Sequence, residues 1–311
     1  MQRAAAGLIV LLNFAAGATG EAEEKRDMLI TRDHFVPHVS TVPANAGQLV
    51  GLHVREKTPS RARGASSVVL FVHGATVPSV PDFDLDYKTY NWMAYLARAG
   101  FRVYAMDNTG YGGSPKPMMD DPSNVSPKQQ AIITPRPLKG PVVPNHPHQL
   151  NTIRSDWDEI DTVVDWLRKK EGVKRISIVG WSAGGPRVGG YVARHPDKIH
   201  RVVLYAPSPT IAGLQIPEQP GPGFPVSLQT REDLEKMRWD PDVRCPGQLD
   251  PGIRDVVWKA IMQWDRVGAG WGPEEGVMRG RTATRFGWTR ELAAKVVAPT
   301  LVIVGEYDRL D

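Results

Sequence analysis

The sequence predicts an α/β protein in which helices cover both faces of a mainly parallel sheet. From Val68 onward, short apolar runs alternate with helical stretches, which is the pattern of successive βαβ units. Most of these runs consist of branched apolar residues, as expected of strands that are buried on both faces. The predicted strands cover residues 68–72, 101–106, 176–179, 202–205 and 301–304.

Two further patterns extend this prediction. Residues 38–42 and 48–54 alternate in polarity and predict an antiparallel hairpin that leads into the sheet. Between residues 153 and 167, apolar side chains recur at steps of three and four, which predicts a helix with one apolar face. These side chains are Ile153, Trp157, Ile160, Val164 and Leu167.

Two long segments lie between the predicted strands. Residues 107–150 are dense in proline and predict a structureless loop over the strand ends, either functional or mobile. Residues 209–288 hold five of the nine tryptophans and an amphipathic helix around residues 253–264. Placed between two strands, this segment predicts a lid over a site; a small separate core is the alternative.

The first residues have the features of a secretory signal peptide. Arg3 precedes an apolar stretch, and Ala16 to Ala18 supply the small residues of a cleavage site. We therefore expect a signal peptide at residues 1–18 and a secreted or periplasmic protein, with an ordinary N-terminal extension as the alternative. The stretch is shorter than the about 20 residues of a membrane span, and no later segment qualifies. Beyond it we expect a core at 19–208, a lid insert at 209–290 and a continuation of the core at 291–311.

Composition excludes several other classes of protein. The 311 residues are 41% hydrophobic and carry charges of both signs with a net charge of +4, which excludes general disorder. No run of Lys or Arg is longer than the three residues Arg168-Lys169-Lys170, which argues against a nucleic-acid partner. The single cysteine, Cys245, excludes an intramolecular disulfide and a metal site built from several cysteines. The oligomeric state stays open.

The motif that carries chemistry is Gly180-Trp181-Ser182-Ala183-Gly184, directly after the predicted strand 176–179. A nucleophile on a sharp strand-to-helix turn needs glycine two residues to either side, because larger side chains would clash in the strained backbone. Ser182 is therefore the expected nucleophile, and the Ala183 N–H an expected oxyanion donor. An idle serine in a glycine-rich turn is the alternative. Trp181 is expected to contact the substrate.

Two companion motifs stand at other strand ends. His73-Gly74-Ala75 closes strand 68–72, and the Ala75 N–H is the natural second oxyanion donor. We expect His73 to brace this loop rather than to act as the base. Asp107 and the glycines after it predict a tight loop, in which Tyr111 is expected to contact the substrate.

Taken in order, these motifs resemble the α/β-hydrolase family from about Val68 to the end of the chain. The resemblance implies the α/β-hydrolase fold, a Ser–His–Asp triad, and no metal or organic cofactor. Asp308, after strand 301–304, matches the position of the family's acid, with Asp311 as the fallback. The family's histidine follows the acid, whereas all eight histidines of this sequence precede it.

Three explanations account for the missing histidine. The chain is a fragment without the last helix and strand of the fold, which would also cover the sheet edge at 301–304. Alternatively, His146 or His148 in the proline-rich loop supplies the base, or the protein binds a ligand without turnover. As a fragment, the chain expressed alone is expected to be poorly soluble and inactive.

The expected activity is hydrolysis of a small-molecule carboxylic ester through an acyl-enzyme intermediate. Trp181 and the tryptophan-rich insert favour an apolar acyl or aromatic group in the substrate. Cleavage of amides, thioesters or C–C bonds, and acyl transfer, use the same serine chemistry and remain alternatives.

Overall fold

The computed structural model describes residues 28–60, 67–134, 139–208, 219–282, 288–306 and 308. The predicted signal peptide at 1–18 lies outside the described residues, as does Asp311. The strands are β1 (Leu29–Val39), β2 (Leu49–Pro59), β3 (Val68–Val72), β4 (Arg102–Met106), β5 (Ile176–Trp181), β6 (Ile199–Tyr205), β7 (Val226–Gln229), β8 (Met278–Arg281) and β9 (Thr300–Ile303). The α-helices are α1 (Ser79–Phe83), α2 (Trp92–Arg98), α3 (Pro127–Gln130), α4 (Ile153–Glu171), α5 (Gly184–Arg194), α6 (Arg231–Leu234), α7 (Ile253–Trp264), α8 (Arg266–Ala269) and α9 (Arg290–Ala293).

Seven strands form the main sheet in the order β1-β2-β4-β3-β5-β6-β9. Strands β4, β3, β5, β6 and β9 are parallel, while β1 and β2 pair antiparallel at one edge. The carboxyl ends of the parallel strands therefore meet at one edge of the sheet, where ligand sites of such sheets lie. The prediction of an α/β fold with a mainly parallel sheet is confirmed.

Both faces of the sheet are buried, as the composition of its strands predicts. In β3, Val68, Leu70 and Val72 pack into one core, and Val69 and Phe71 pack into the core on the other face. The first core includes the predicted apolar face of α4, from Ile153 to Leu167, which is fully buried. At the far edge, the residues of β9 are exposed.

The N-terminal hairpin and the proline-rich segment differ from their predictions. The hairpin exists but is longer and begins earlier, with β1 ending at Val39 and β2 reaching Pro59. Residues 107–150 are not structureless: they contain two 3₁₀ or α-helical turns, Pro122–Asn124 and α3. Apolar residues of this segment pack with β7 into a separate core, so its prolines shape turns without preventing burial.

The described part of the insert folds around β7 and β8, which pair antiparallel, and the predicted amphipathic helix α7. Trp258 and Ile261 of α7 form a small core with Leu234 and Met278. The same helix turns other residues toward the carboxyl ends of the parallel strands. None of the described helices is long and apolar enough to cross a membrane.

Candidate active site

Ser182 stands at the sharp turn between β5 and α5. Its φ of 50° lies in the left-handed region, which costs a non-glycine residue about 1–3 kcal/mol and is held only by surrounding contacts. The Ser182 N–H donates to the Tyr205 carbonyl at 3.0 Å, and the Ser182 carbonyl accepts from the N–H groups of Gly185 and Ser208. These bonds to three segments hold the serine at the amino terminus of α5, where the helix dipole favours negative charge.

The glycines around Ser182 are required by close packing. A Cβ atom on Gly184 would lie 2.4 Å from the Val72 carbonyl oxygen, and one on Gly180 would lie 2.5 Å from the Gly184 oxygen. A Cβ atom on Gly74 would lie 3.1 Å from Ser182 Cβ, so the loop after β3 packs directly against the serine. The sequence motif thus reflects the contact between two strand ends.

Gly184→Ala should disrupt this turn. The added methyl group collides with backbone atoms that belong to β3, so either α5 or the loop after β3 has to move. We expect a loss of about 1–3 kcal/mol in the free energy of unfolding, measured by denaturant titration. Gly172→Ala is not a suitable control because Gly172 has a positive φ, whereas Gly140→Ala has open space around its Cβ and should change stability little.

An apolar cavity of about 380 Å³ opens beside Ser182. Its walls come from the loop after β3, the helices α1 and α2, and the insert. The aromatic and aliphatic lining residues include Trp92, Trp181, Trp239, Leu249, Ile253, Val257 and Ile261. Of the five tryptophans in the sequence segment 209–288, Trp239 lines this cavity, whereas Trp258 and Trp288 pack in cores.

A second, more polar cavity of about 280 Å³ lies on the other side of the turn. The two cavities share Ala75 and Thr76, and the second is also lined by Ala183. Of the two predicted oxyanion donors, Ala75 therefore lies where the cavities meet, and Ala183 lies in the wall of the second cavity, directly after Ser182. The polar side chains that line the second cavity include Tyr111, Gln149, Arg187, Ser208, Ser227, Arg281 and Thr282.

Buried arginines support the loop that carries Ala75. Arg187 of α5 donates from Nη1 to the carbonyl oxygens of His73 (2.9 Å) and Gly74 (3.2 Å), and from Nε to Asp156 at 3.0 Å. Asp156 also binds Arg281 at 2.6 Å, and Arg281 donates to the Thr109 carbonyl at 2.6 Å. We call Arg187, Asp156 and Arg281 the arginine network. Sequence reasoning missed it, because nothing in a single sequence pairs charges so far apart along the chain.

His73 lies beneath the same loop. Its Nδ1–H donates to the Gly74 carbonyl at 2.8 Å, and its Nε2 accepts from the Asn108 N–H at 3.2 Å. Burial and the charge of Arg187 lower the pKa of His73 to about 3, so the ring is neutral at physiological pH. These contacts are those of a bracing residue, as the sequence predicts.

Asp107 fixes the glycine loop after β4. Its carboxylate accepts from Nδ1 of His53 at 2.7 Å, from the Ser79 N–H at 2.7 Å and from the Gly113 N–H at 3.0 Å. The second ring nitrogen of His53 lies 2.8 Å from Asp33. Burial opposes ionisation of both groups, yet the pKa of Asp107 is lowered by His53, and the pKa of His53 is raised by Asp107 and Asp33.

This pair predicts a pH-dependent stability. Because the pKa of Asp107 is lowered in the folded state, its ionised carboxylate stabilises the fold above about pH 4. This contribution is lost on acidification. Because the pKa of His53 is raised in the folded state, its protonated ring stabilises the fold below about pH 6.5. This contribution is lost as the pH rises through the folded-state pKa. In His53→Asn, the free energy of unfolding should therefore fall more at about pH 5.5 than at about pH 8. An equal loss at both values would show that folding does not raise the pKa of His53.

The remaining predicted site residues differ in whether they line one of the two cavities. Tyr111 lines the polar cavity, and its hydroxyl oxygen accepts from the Thr76 N–H at 3.2 Å. Asp308 is exposed and lines neither cavity, so its assignment as the acid stays a prediction. None of the eight histidines, all of them described, lines either cavity; His146 and His148 contact each other elsewhere, with ring centroids 5.8 Å apart. Among the described residues, no cluster of metal-ligating side chains occurs.

The chain matches the profile of one known protein family and is similar to several solved structures. A family profile for the α/β hydrolase fold matches residues 67–231, more than half of the chain. The thioesterase domain from the curacin biosynthetic pathway is similar at 14% identity and a TM-score of 0.50, over 91% of this chain and 85% of that one. A probable hydrolytic enzyme from Pseudomonas aeruginosa PAO1 is similar at 19% identity and a TM-score of 0.49, over 90% and 75%.

A predicted CIB-like hydrolase from Thermoplasma acidophilum is similar at 18% identity and a TM-score of 0.35, over 58% of this chain. The match covers 64% of that protein, which is less than two thirds of its length. No curated protein sequence matches the chain significantly. The family match, the sheet order and the strained serine turn agree, and the chain belongs to the α/β hydrolase family.

Proposed function

We propose that this protein is a serine hydrolase that cleaves small-molecule carboxylic esters. The observation that carries the proposal is the position of Ser182, held at a positive φ beside the apolar cavity and next to the point where the two cavities meet. A serine with these surroundings can attack a carbonyl that lies across the junction. The backbone N–H groups of Ala75 and Ala183 are the proposed donors to the resulting oxyanion.

In the proposed mechanism, Ser182 Oγ forms a bond to the acyl carbon, and the C=O π electrons move to the oxygen. A histidine base takes the hydroxyl proton and returns it to the departing alcohol oxygen as the ester C–O bond breaks. Water then attacks the acyl-enzyme by the same route and releases the acid. Asp308 is the proposed partner of that histidine. No described histidine lines either cavity, so the histidine of this step is not assigned to a residue.

The two cavities suggest how an ester is oriented. The acyl part fits the apolar cavity, where aromatic and aliphatic side chains can bury its carbon atoms. The alcohol part fits the polar cavity, whose side chains can bind hydroxyl groups. The lid proposed at 209–290 would contribute the wall formed by α7 and Trp239.

A fluorophosphonate probe tests the proposal on the full-length natural protein. An activated serine forms a covalent phosphonyl bond, so Ser182 should be labelled in the folded protein and not after denaturation. Matched panels of esters and amides then test the bond cleaved, with faster ester turnover expected. Faster amide turnover would replace the esterase proposal with an amidase.

Ligand binding without turnover is the second candidate, favoured because no described histidine lines either cavity. In that case Ser182 stays unlabelled, while a ligand still changes the fluorescence of Trp92, Trp181 and Trp239.

We also propose that the protein is exported. The mature natural protein should be lighter than its unprocessed precursor by the mass of residues 1–18. An intact N-terminus would contradict this.

A further inference from the structure

Asp82 of α1 places a carboxyl group in the wall of the apolar cavity beside Ser182. The Gly74 N–H, next to the serine, hydrogen-bonds this carboxyl. Its Oδ2 atom is buried and has no hydrogen-bond partner among the described residues. A polar atom in this situation carries a desolvation cost that a ligand atom can relieve.

The other carboxylates of this region have partners that explain them. Asp84, two residues along the chain, binds Arg55, Lys57 and Asn91. Asp107 is held by His53 and two backbone N–H groups. Asp82 has no comparable set of partners, so a role in supporting the fold does not account for its position.

The surroundings of Asp82 determine which ligand group it can bind. Burial raises the pKa of its carboxyl well above the ordinary value; the Gly74 N–H opposes this rise and the charge of Asp107 adds to it. Burial therefore favours the protonated form of this carboxyl, which carries an O–H donor. Arg238 lines the same cavity and disfavours a cationic ligand group, whereas the charge of Arg254, also in the wall, is compensated by Asp240 at 2.7 Å. An oxygen acceptor fits these conditions.

We propose that Asp82 is a specificity-determining residue that donates a hydrogen bond to a second oxygen in the acyl part of the substrate. The preferred substrates are then esters whose acyl chain carries a keto or similar acceptor oxygen, rather than plain alkyl esters. This inference rests on the proposed function in placing the acyl part in the apolar cavity.

Binding to the Ser182→Ala protein tests the inference without turnover. Ethyl hexanoate and its singly oxo-substituted counterparts are titrated while the fluorescence of the cavity tryptophans is followed. The best oxo ester should bind about tenfold more tightly than ethyl hexanoate. Adding Asp82→Leu should remove this preference, because leucine has no donor, whereas Asp82→Asn keeps an N–H donor and should retain most of it.

Asp86→Leu is the matched control, because Asp86 is exposed and lies outside the apolar cavity. It should leave the preference unchanged, and thermal unfolding of each variant checks that the fold is retained. Equal binding of all the esters by the protein with Asp82, or a preference that persists in Asp82→Leu, would overturn the inference. Ester hydrolysis is measured separately on the protein that keeps Ser182. Preferred binding of the oxo ester without hydrolysis would support the role of Asp82 and remove the esterase proposal. Hydrolysis without preferred binding would support the esterase proposal and remove the role of Asp82.

Discussion

Ser182→Ala should lower kcat for ester hydrolysis by about 10⁴-fold or more, because it removes the atom that forms the acyl-enzyme bond. The fold should survive, since alanine is smaller and the backbone hydrogen bonds of residue 182 do not depend on its side chain. Initial rates of the full-length natural protein and its variant measure the effect. Ser177→Ala on the same strand, outside both cavities, is the matched control and should keep full activity.

Ser182→Gly adds a second measurement at the same position. Glycine adopts a positive φ without the cost that serine or alanine pays there. The free energy of unfolding of the Ser182→Gly protein should therefore exceed that of the Ser182→Ala protein by about 1 kcal/mol. Activity retained in either variant would remove Ser182 from the mechanism.

Arg187→Met should have the largest effect on stability, about 3–5 kcal/mol in the free energy of unfolding. The change leaves Asp156 without one cation and leaves two buried carbonyl groups, those of His73 and Gly74, without their donor. Denaturant titration measures this loss. Arg175→Met, at an exposed arginine on the protein surface, is the control and should change stability by no more than about 0.5 kcal/mol.

Catalysis in Arg187→Met should also suffer, because the unsupported loop carries the Ala75 N–H. Loss of one oxyanion donor lowers kcat by about 10²-fold or more. The fall should appear in kcat more than in KM, measured under conditions in which the variant is folded. Normal kcat in a destabilised but folded variant would limit Arg187 to a structural role.

The parallel sheet could be predicted because strands buried on both faces have a distinctive composition. In β3 every residue from Val68 to Val72 is buried, and the sequence shows this as an unbroken apolar run. The position of Ser182 could be predicted for a related reason. The glycines that flank it are required by backbone contact, so the geometry leaves a direct mark on the sequence.

The charged residues of the site left no such mark. Arg281 and Asp156 are 125 residues apart in the chain and meet only because the insert folds back onto α4. In the sequence, nothing distinguishes Asp82 from an ordinary acidic residue of a short helix, because the cavity that it lines is visible only in the structure. The proline-rich segment 107–150 was predicted to lack structure, because sequence alone does not reveal that its apolar residues pack against β7.

The contacts of Arg281 limit how this protein can be re-engineered. Strand β8 belongs to the insert, yet its buried Arg281 neutralises Asp156 and holds the loop after β4. A chimera that takes the insert from another hydrolase would bury Asp156 without this cation. Successful grafting therefore requires either an arginine at the corresponding position of the donor or the simultaneous exchange of α4, and substrate range cannot be altered by swapping the insert as an independent module.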